Sequence, residues 1–89
     1  MISESSLKVA GGKLVQVKAD HDCGRINSVK IYGDFFMHPE DALNKLEKKL
    51  ENIRADDVES IVRNFFQGDV KAFGVDAESI TKVITEAMK

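Results

Sequence analysis

Apolar and polar residues alternate over residues 14–19, which places Val15, Val17 and Ala19 on one side of an extended chain. Strict alternation of this kind is typical of a strand with one buried face. Residues 25–33 repeat the pattern, since apolar and polar side chains again take turns there. The two segments therefore predict an antiparallel pair joined by a hairpin.

The flanks of this pair predict turns and one further strand. Residues 20–24 form a cluster of turn-favouring residues, in which Gly24 can take the left-handed conformation of a hairpin. Residues 7–10 predict a short strand in front of the pair. Residues 1–6 are small and polar, and we expect them to be frayed. The prediction is a meander of three antiparallel strands.

Three segments of the second half carry apolar residues at the spacing of a helix. Pro39 suits the first helical position, and Glu40 follows in the first turn, where an acid favours the helix dipole. Asp56 predicts the start of a second helix, with Glu59 at capping-box spacing. Asp76 predicts the start of the third. The three apolar stripes are Leu43, Leu46, Leu50 and Ile53; Val58, Ile61, Val62, Phe65 and Phe66; and Ile80, Val83, Ile84, Ala87 and Met88.

These stripes must be buried, and the sheet has a face to cover. The simplest arrangement is a two-layer α+β domain, in which about three amphipathic helices cover one face of a small three-stranded antiparallel sheet. Residues 1–89 make one domain. Residues 69–75 are expected to be a connector, with or without one extended turn, and residues 57–88 carry the C-terminal helices.

Composition narrows the functional class. The chain is 43% hydrophobic and 31% charged, with a formal net charge of −2, which is ordinary for a folded, soluble protein. The mixed charges disfavour a nucleic-acid binder, which usually carries a clustered basic face. One cysteine excludes an internal disulfide. No stretch resembles a signal peptide or a membrane span, so we expect a cytoplasmic protein that does not bind membranes.

The turn at Gly11, Gly12, Lys13 and Leu14 resembles a phosphate loop only superficially. The Walker pattern needs four residues between its glycines and a Ser or Thr after the Lys. A glycine turn followed by an outward lysine is structurally ordinary. The functional alternative is that Lys13 and backbone N–H groups reach an anion, including one held by a partner.

Residues 33–39 carry the most specific local signal. Adjacent residues of an extended chain point in opposite directions, so we expect one of Phe35 and Phe36 in the core and the other exposed. An exposed aromatic beside Met37 suits a partner surface. Asp34 either caps a backbone turn or accepts a hydrogen bond from a partner. The sequence reveals no nucleophile that His38 could activate as a general base.

His21 and Cys23 offer two metal ligands from one turn, whereas a zinc site needs three or four. A metal site is therefore disfavoured. Cys23 lies at a predicted hairpin tip and is either a tolerated thiol or a reactive one, and only a depressed pKa would favour reactivity.

Two separated motifs in the same order resemble the accessory, C-terminal domain of lipoate–protein ligases. That family has a Gly-Gly-Lys-Leu-Val strand start, a hairpin, and then Gly-Asp-Phe-Phe before a Pro-Glu and an amphipathic helix. The resemblance lies within residues 7–50. The matching residues are Gly11, Gly12, Lys13, Leu14, Val15, Gly33, Asp34, Phe35, Phe36, Pro39, Glu40, Leu43, Leu46, Glu47 and Leu50.

The resemblance implies a function in lipoylation. Lipoate and ATP give lipoyl-AMP and pyrophosphate, and the lipoyl group then passes to a lysine of an acceptor domain. In most members the accessory domain is fused behind the catalytic domain; this chain is similar to the separate small subunit of two-chain ligases. It would be needed for adenylation and less for transfer. Both lipoate and octanoate are compatible with the motifs.

The resemblance also implies the partners and cofactors. A larger catalytic subunit would hold the lipoate pocket, ATP, Mg²⁺ and the catalytic lysine, so this chain would bind no cofactor and contribute no catalytic residue. The heterodimer would act on the lipoyl domain of a 2-oxoacid dehydrogenase E2 or the glycine-cleavage H protein. The expected docking residues are Gly11, Gly12, Lys13, Leu14, Asp34, Phe35, Phe36, Met37 and His38.

Two other functional classes fit the composition. One is a sulfur-transfer or iron–sulfur scaffold with Cys23 as the carrier, although one cysteine cannot hold a cluster alone. The other is a plain protein-interaction module. Thiol alkylation followed by an activity assay separates the first class from the ligase hypothesis. The ligase hypothesis predicts that activity does not change when Cys23 is lost.

Overall fold

The computed structural model describes residues 1–9 and 13–89. The described residues form six strands and three α-helices, with a short 3₁₀ turn before the second helix. In chain order they are β1 (Ile2–Lys8), β2 (Leu14–Asp22), β3 (Arg25–Gly33), β4 (Phe36–His38), α1 (Ala42–Lys49), β5 (Ile53–Arg54), the 3₁₀ turn (Ala55–Asp57), α2 (Val58–Phe66), β6 (Lys71–Phe73) and α3 (Ala77–Ala87).

The strands form two antiparallel sheets. The main sheet has four strands in the order β1-β2-β3-β5, and β4 pairs with β6 in a separate two-stranded sheet. The α+β class is confirmed, whereas the predicted count of three strands is wrong. The sequence pattern missed β4, β5 and β6 because each is only two or three residues long.

The central hairpin follows from the alternation in β2 and β3. Val17 pairs with Ile31 and Ala19 with Val29, so that their apolar side chains lie in the interior. The connecting turn has positive φ at Cys23 (51°) as well as Gly24 (78°). Two consecutive positive φ values match the twist of the flanking strands. The left-handed conformation predicted for Gly24 is confirmed.

β1 corrects the expectation that residues 1–6 are frayed. It pairs with β2 from Ile2, opposite Asp20, to Lys8, opposite Leu14. The His21 side chain also holds this edge, since its Nε2 lies 2.9 Å from Ser3 Oγ. An edge strand is held chiefly by backbone hydrogen bonds, so a serine-rich segment can form one without an apolar alternation.

α1 and α3 bury their apolar stripes against one face of the main sheet, and α2 packs chiefly on α3. α3 packs on β1 and β2, and α1 packs on β3. α2 contacts both α1 and α3. None of the helices in residues 1–9 and 13–89 is long and apolar enough to cross a membrane. The buried core consists of Val15, Val17, Ala19, Ile26, Val29, Ile31, Leu46, Leu50, Val58, Val62, Val75, Ile80, Val83, Ile84 and Ala87.

Only one of the three predicted helix starts is confirmed. The Asp76 carboxylate accepts a hydrogen bond from the Ser79 backbone N–H (2.7 Å) and caps α3. Pro39 lies before α1, because residues 36–38 stay extended in β4 and a turn intervenes. Asp56 lies within the 3₁₀ turn that precedes α2. Ile53, expected in the first helical stripe, belongs to β5.

Glu47 completes the outer edge of β3. β5 pairs only with Arg25 and Ile26, so the rest of that edge has no neighbouring strand among the described residues. The Ile31 backbone N–H, on this edge, donates to Glu47 Oε2 at 2.7 Å. A partly buried N–H that loses its acceptor is costly, so α1 stabilises the sheet through this side chain as well as through its apolar stripe.

We expect Glu47→Ala to lower the free energy of unfolding by about 1–3 kcal/mol, because the Ile31 N–H loses a charged acceptor. Glu47→Gln keeps an acceptor oxygen and should cost less. Lys48→Ala, an exposed change on the same helix, is the control and should stay within about 0.5 kcal/mol. Urea unfolding measures all three, and equal stabilities for Glu47→Ala and Lys48→Ala would contradict the assignment.

Candidate partner-docking site

The end of β3 and the start of β2 approach each other unusually closely. The Asp34 backbone N–H donates to the Leu14 carbonyl oxygen at 2.9 Å. Gly33 has φ of +150°, and a Cβ at this position would collide with the Leu14 carbonyl oxygen. Only glycine fits such a backbone approach. This contact directs residues 34–38 away from the main sheet and into β4.

β4 pairs with β6 and brings distant aromatic residues together. Phe36 lies opposite Phe73, with ring centroids 6.5 Å apart, and His38 stacks on Phe36 at 6.2 Å. Phe36 is 56% exposed and Phe73 is 59% exposed. We call Phe36, His38 and Phe73 the aromatic surface.

The strand alternation of β4 decides which predicted side chains are exposed. Phe35 is half-buried and packs against the core, whereas Phe36 is exposed, as one of the two was expected to be. Met37 was expected beside the exposed aromatic as part of a partner surface, but it is only 6% exposed. It lies on the opposite face of β4 from Phe36 and His38, so it supports the surface from behind.

Lys13 borders the aromatic surface, although it is distant from β6 in the sequence. A Cβ on Gly74 would lie 2.7 Å from Lys13 Cγ, so the lysine stem crosses directly over this glycine. Gly74 follows Phe73 in the chain. Leu14 is half-buried and Asp34 is exposed. Gly11 and Gly12, the other two residues predicted at this turn, lie outside the described residues.

Phe73 is the part of the site that sequence reasoning missed. It lies in the segment 69–75, which was expected to be a connector. The available signal was a short stretch of mixed polar and apolar residues in which Phe73 is the only aromatic residue. Three residues are too few to show a period, and their pairing with β4 depends on the tertiary fold.

Charges of both signs border the aromatic surface. Lys13, Lys71 and Asp34 are exposed there, and His38 lies opposite Lys71. Asp69 lines a groove together with His38 and Lys71. In residues 1–9 and 13–89 the ion pairs all involve other residues. An apolar centre with unpaired charges at its margin is the usual composition of a protein–protein interface.

The other candidate residues lie at the far end of the main sheet. His21 is buried beside Ser3, and Cys23 is exposed at the hairpin tip. Within the described ranges, no three His, Cys, Asp or Glu side chains are placed to hold a metal ion. Neither residue contributes to the aromatic surface.

Comparison with known proteins identifies the family. The family described as the C-terminus of bacterial lipoate protein ligases matches residues 4–84. Lipoate-protein ligase A subunit 2 of Thermoplasma acidophilum is 37% identical over 71 residues, which cover 80% of this chain and 76% of that protein. The chain belongs to the lipoate–protein ligase C-terminal family.

A solved structure supports the same assignment for this lipoate–protein ligase domain. It comes from an archaeal lipoylation system, a bipartite lipoate protein ligase and its E2 lipoyl domain from Thermoplasma acidophilum. The TM-score is 0.87 at 33% identity, with 94% of each chain covered. The predicted family and the predicted role as an accessory part of such a ligase are confirmed, and the sulfur-transfer alternative is not favoured.

We expect Gly33→Ala to lower the free energy of unfolding by about 3 kcal/mol or more, because the new Cβ must displace the Leu14 backbone. Gly24→Ala is the matched control. Gly24 also has positive φ (78°), but nothing lies within 4 Å of its Cβ position, so it should cost only about 1–2 kcal/mol. Chemical denaturation measures both; equal losses would show that the close approach to Leu14 does not constrain the fold.

Proposed function

We propose that this chain is the small, non-catalytic subunit of a two-chain lipoate–protein ligase, and that it makes a larger catalytic subunit competent for lipoate adenylation. Its relatives support this proposal, since one is a ligase subunit 2 and the other belongs to a bipartite ligase. ATP, Mg²⁺ and lipoate would bind to the catalytic subunit. The acceptor of the complex would be a lipoyl domain of an E2 or an H protein.

The exposed aromatic pair is the observation that carries the docking role. Phe36 and Phe73 each leave more than half of their surface in water. Aromatic residues are enriched in interfaces and often supply most of the binding free energy. A partner that covers these two rings removes apolar surface from water at a small, preformed site.

The docking residues predicted from the sequence take different roles in this proposal. Phe36 and His38 would contact the partner directly, and Lys13 and Asp34 would lie at the margin. Phe35 and Met37 would support the surface from inside, because both are largely or partly buried. Phe73 joins the set through its pairing with Phe36.

Binding can promote adenylation without any catalytic residue from this chain. The first half-reaction develops charge on phosphate oxygens, which is best stabilised by preorganised groups in a site closed to water. A subunit that binds only the closed form of its partner shifts the population toward that form. The aromatic surface brings together docking groups rather than a nucleophile and a base.

The function is tested by mixing the purified chain with a catalytic ligase chain and measuring lipoate-dependent pyrophosphate release. We expect release to rise by at least about tenfold when this chain is added, while transfer from preformed lipoyl-AMP to a lipoyl domain changes little. Cys23→Ser should stimulate release as well as the wild type. No stimulation by the wild-type chain would reject the role, and loss of stimulation in Cys23→Ser would favour chemistry at the thiol.

Phe36→Ala and Phe73→Ala should each weaken binding to the catalytic subunit by about 2 kcal/mol, or roughly thirtyfold, because each removes a central apolar contact. Isothermal titration calorimetry measures the dissociation constants. Ile2→Ala is the control, since Ile2 is also an exposed apolar residue but lies opposite Asp20, at the other end of the sheet from Leu14. Equal affinities for all three variants would place the interface elsewhere.

A further inference from the structure

The side chain of Lys13 lies against a glycine that is far away in the sequence. A Cβ on Gly74 would lie 2.7 Å from Lys13 Cγ and 3.3 Å from its Cβ and Cδ. A distance of 2.7 Å is well inside van der Waals contact. The aliphatic stem of the lysine therefore lies in the space that the missing Gly74 side chain leaves free.

The backbone of Gly74 reinforces this arrangement. Its φ of +87° is a conformation that L-residues with a side chain rarely adopt. A turn with this φ ends β6 immediately after Phe73. The same glycine thus ends the strand that carries Phe73 and provides the surface on which the Lys13 stem rests.

The Lys13 ammonium has no carboxylate close enough for a salt bridge among the residues that the structure describes. Lysine side chains normally move freely, and ordering one costs conformational entropy. A stem already resting on Gly74 has less freedom to lose when an anion binds. The cation is therefore both unneutralised and partly preorganised, at the border of the aromatic surface.

We propose that Lys13 forms an ion pair with a carboxylate of the catalytic subunit, and that Gly74 is a positioning residue that directs Lys13 toward it. This inference rests on the proposed function, because the aromatic surface next to Lys13 must meet that subunit. A single ammonium at the margin of an apolar patch matches the polar rim of an interface. Nucleotide phosphates are more often held by several backbone N–H groups together.

Three variants of the full-length chain test the pair by calorimetry with the catalytic subunit, without ATP, at about 50 and 300 mM salt. Lys13→Gln removes the charge and should weaken binding about five- to tenfold at low salt and less at high salt. Lys13→Arg keeps the charge and should stay within about threefold. Gly74→Ala keeps the net charge but displaces the stem, so it should weaken binding as Lys13→Gln does.

Lys30→Gln is the matched control, because Lys30 is exposed on the main sheet and its loss changes the net charge equally. It should leave the dissociation constant within about twofold. The double variant Lys13→Gln/Gly74→Ala should bind no more weakly than the worse single variant, because both changes remove one interaction. Thermal melts of every variant identify any loss of folding, and Lys13→Gln, at an exposed site, keeps the test decisive if Gly74→Ala unfolds.

The outcomes separate this inference from the proposed function. If the wild-type chain does not bind the catalytic subunit, both are overturned. If the wild type binds and Lys13→Gln matches Lys30→Gln, only the ion pair is overturned. Unchanged affinity together with a raised KM for ATP in Lys13→Gln would assign the lysine to a nucleotide phosphate and would overturn the proposed carboxylate partner.

Discussion

The candidate site depends on the close backbone approach of Gly33 to Leu14. The hydrogen bond from Asp34 N–H to the Leu14 carbonyl closes the last step of the β2–β3 ladder. A side chain at Gly33 would prevent that step. Because the chain turns there, β4 leaves the main sheet and becomes available to β6. The contact between two backbone segments therefore determines where Phe36 is presented.

The main sheet and helices serve as a rigid scaffold for this second, smaller sheet. An isolated two-stranded sheet is marginally stable in water. Here β4 and β6 are supported by buried Met37 on their inner face, which leaves Phe36 and Phe73 free on the outer face. This arrangement of supporting and exposed side chains suits a subunit that works by binding. The docking side chains are ordered before the partner arrives, so binding costs little conformational entropy.

Some parts of this molecule could be predicted from local sequence, and others could not. The alternation at Val15 and Val17 and the cap at Asp76 act through neighbouring residues, so the hairpin and the start of α3 were predictable. β1 has a serine-rich sequence, and its pairing is visible only when β2 is present. The contacts of Phe73 with Phe36 and of Gly74 with Lys13 join residues that are distant in the sequence, so no local pattern indicated them.

The central claim is that one surface of the molecule meets the catalytic subunit. This surface consists of the start of β2, the end of β3 and the β4–β6 sheet. Amide hydrogen–deuterium exchange on the chain, with and without that subunit, tests it most directly. The account predicts slower exchange on binding at residues 13–14, 34–38 and 71–74, with little change in β1 or α3. Protection confined to the free edge of β1 or to α2 and α3, with none in β4 and β6, would contradict it.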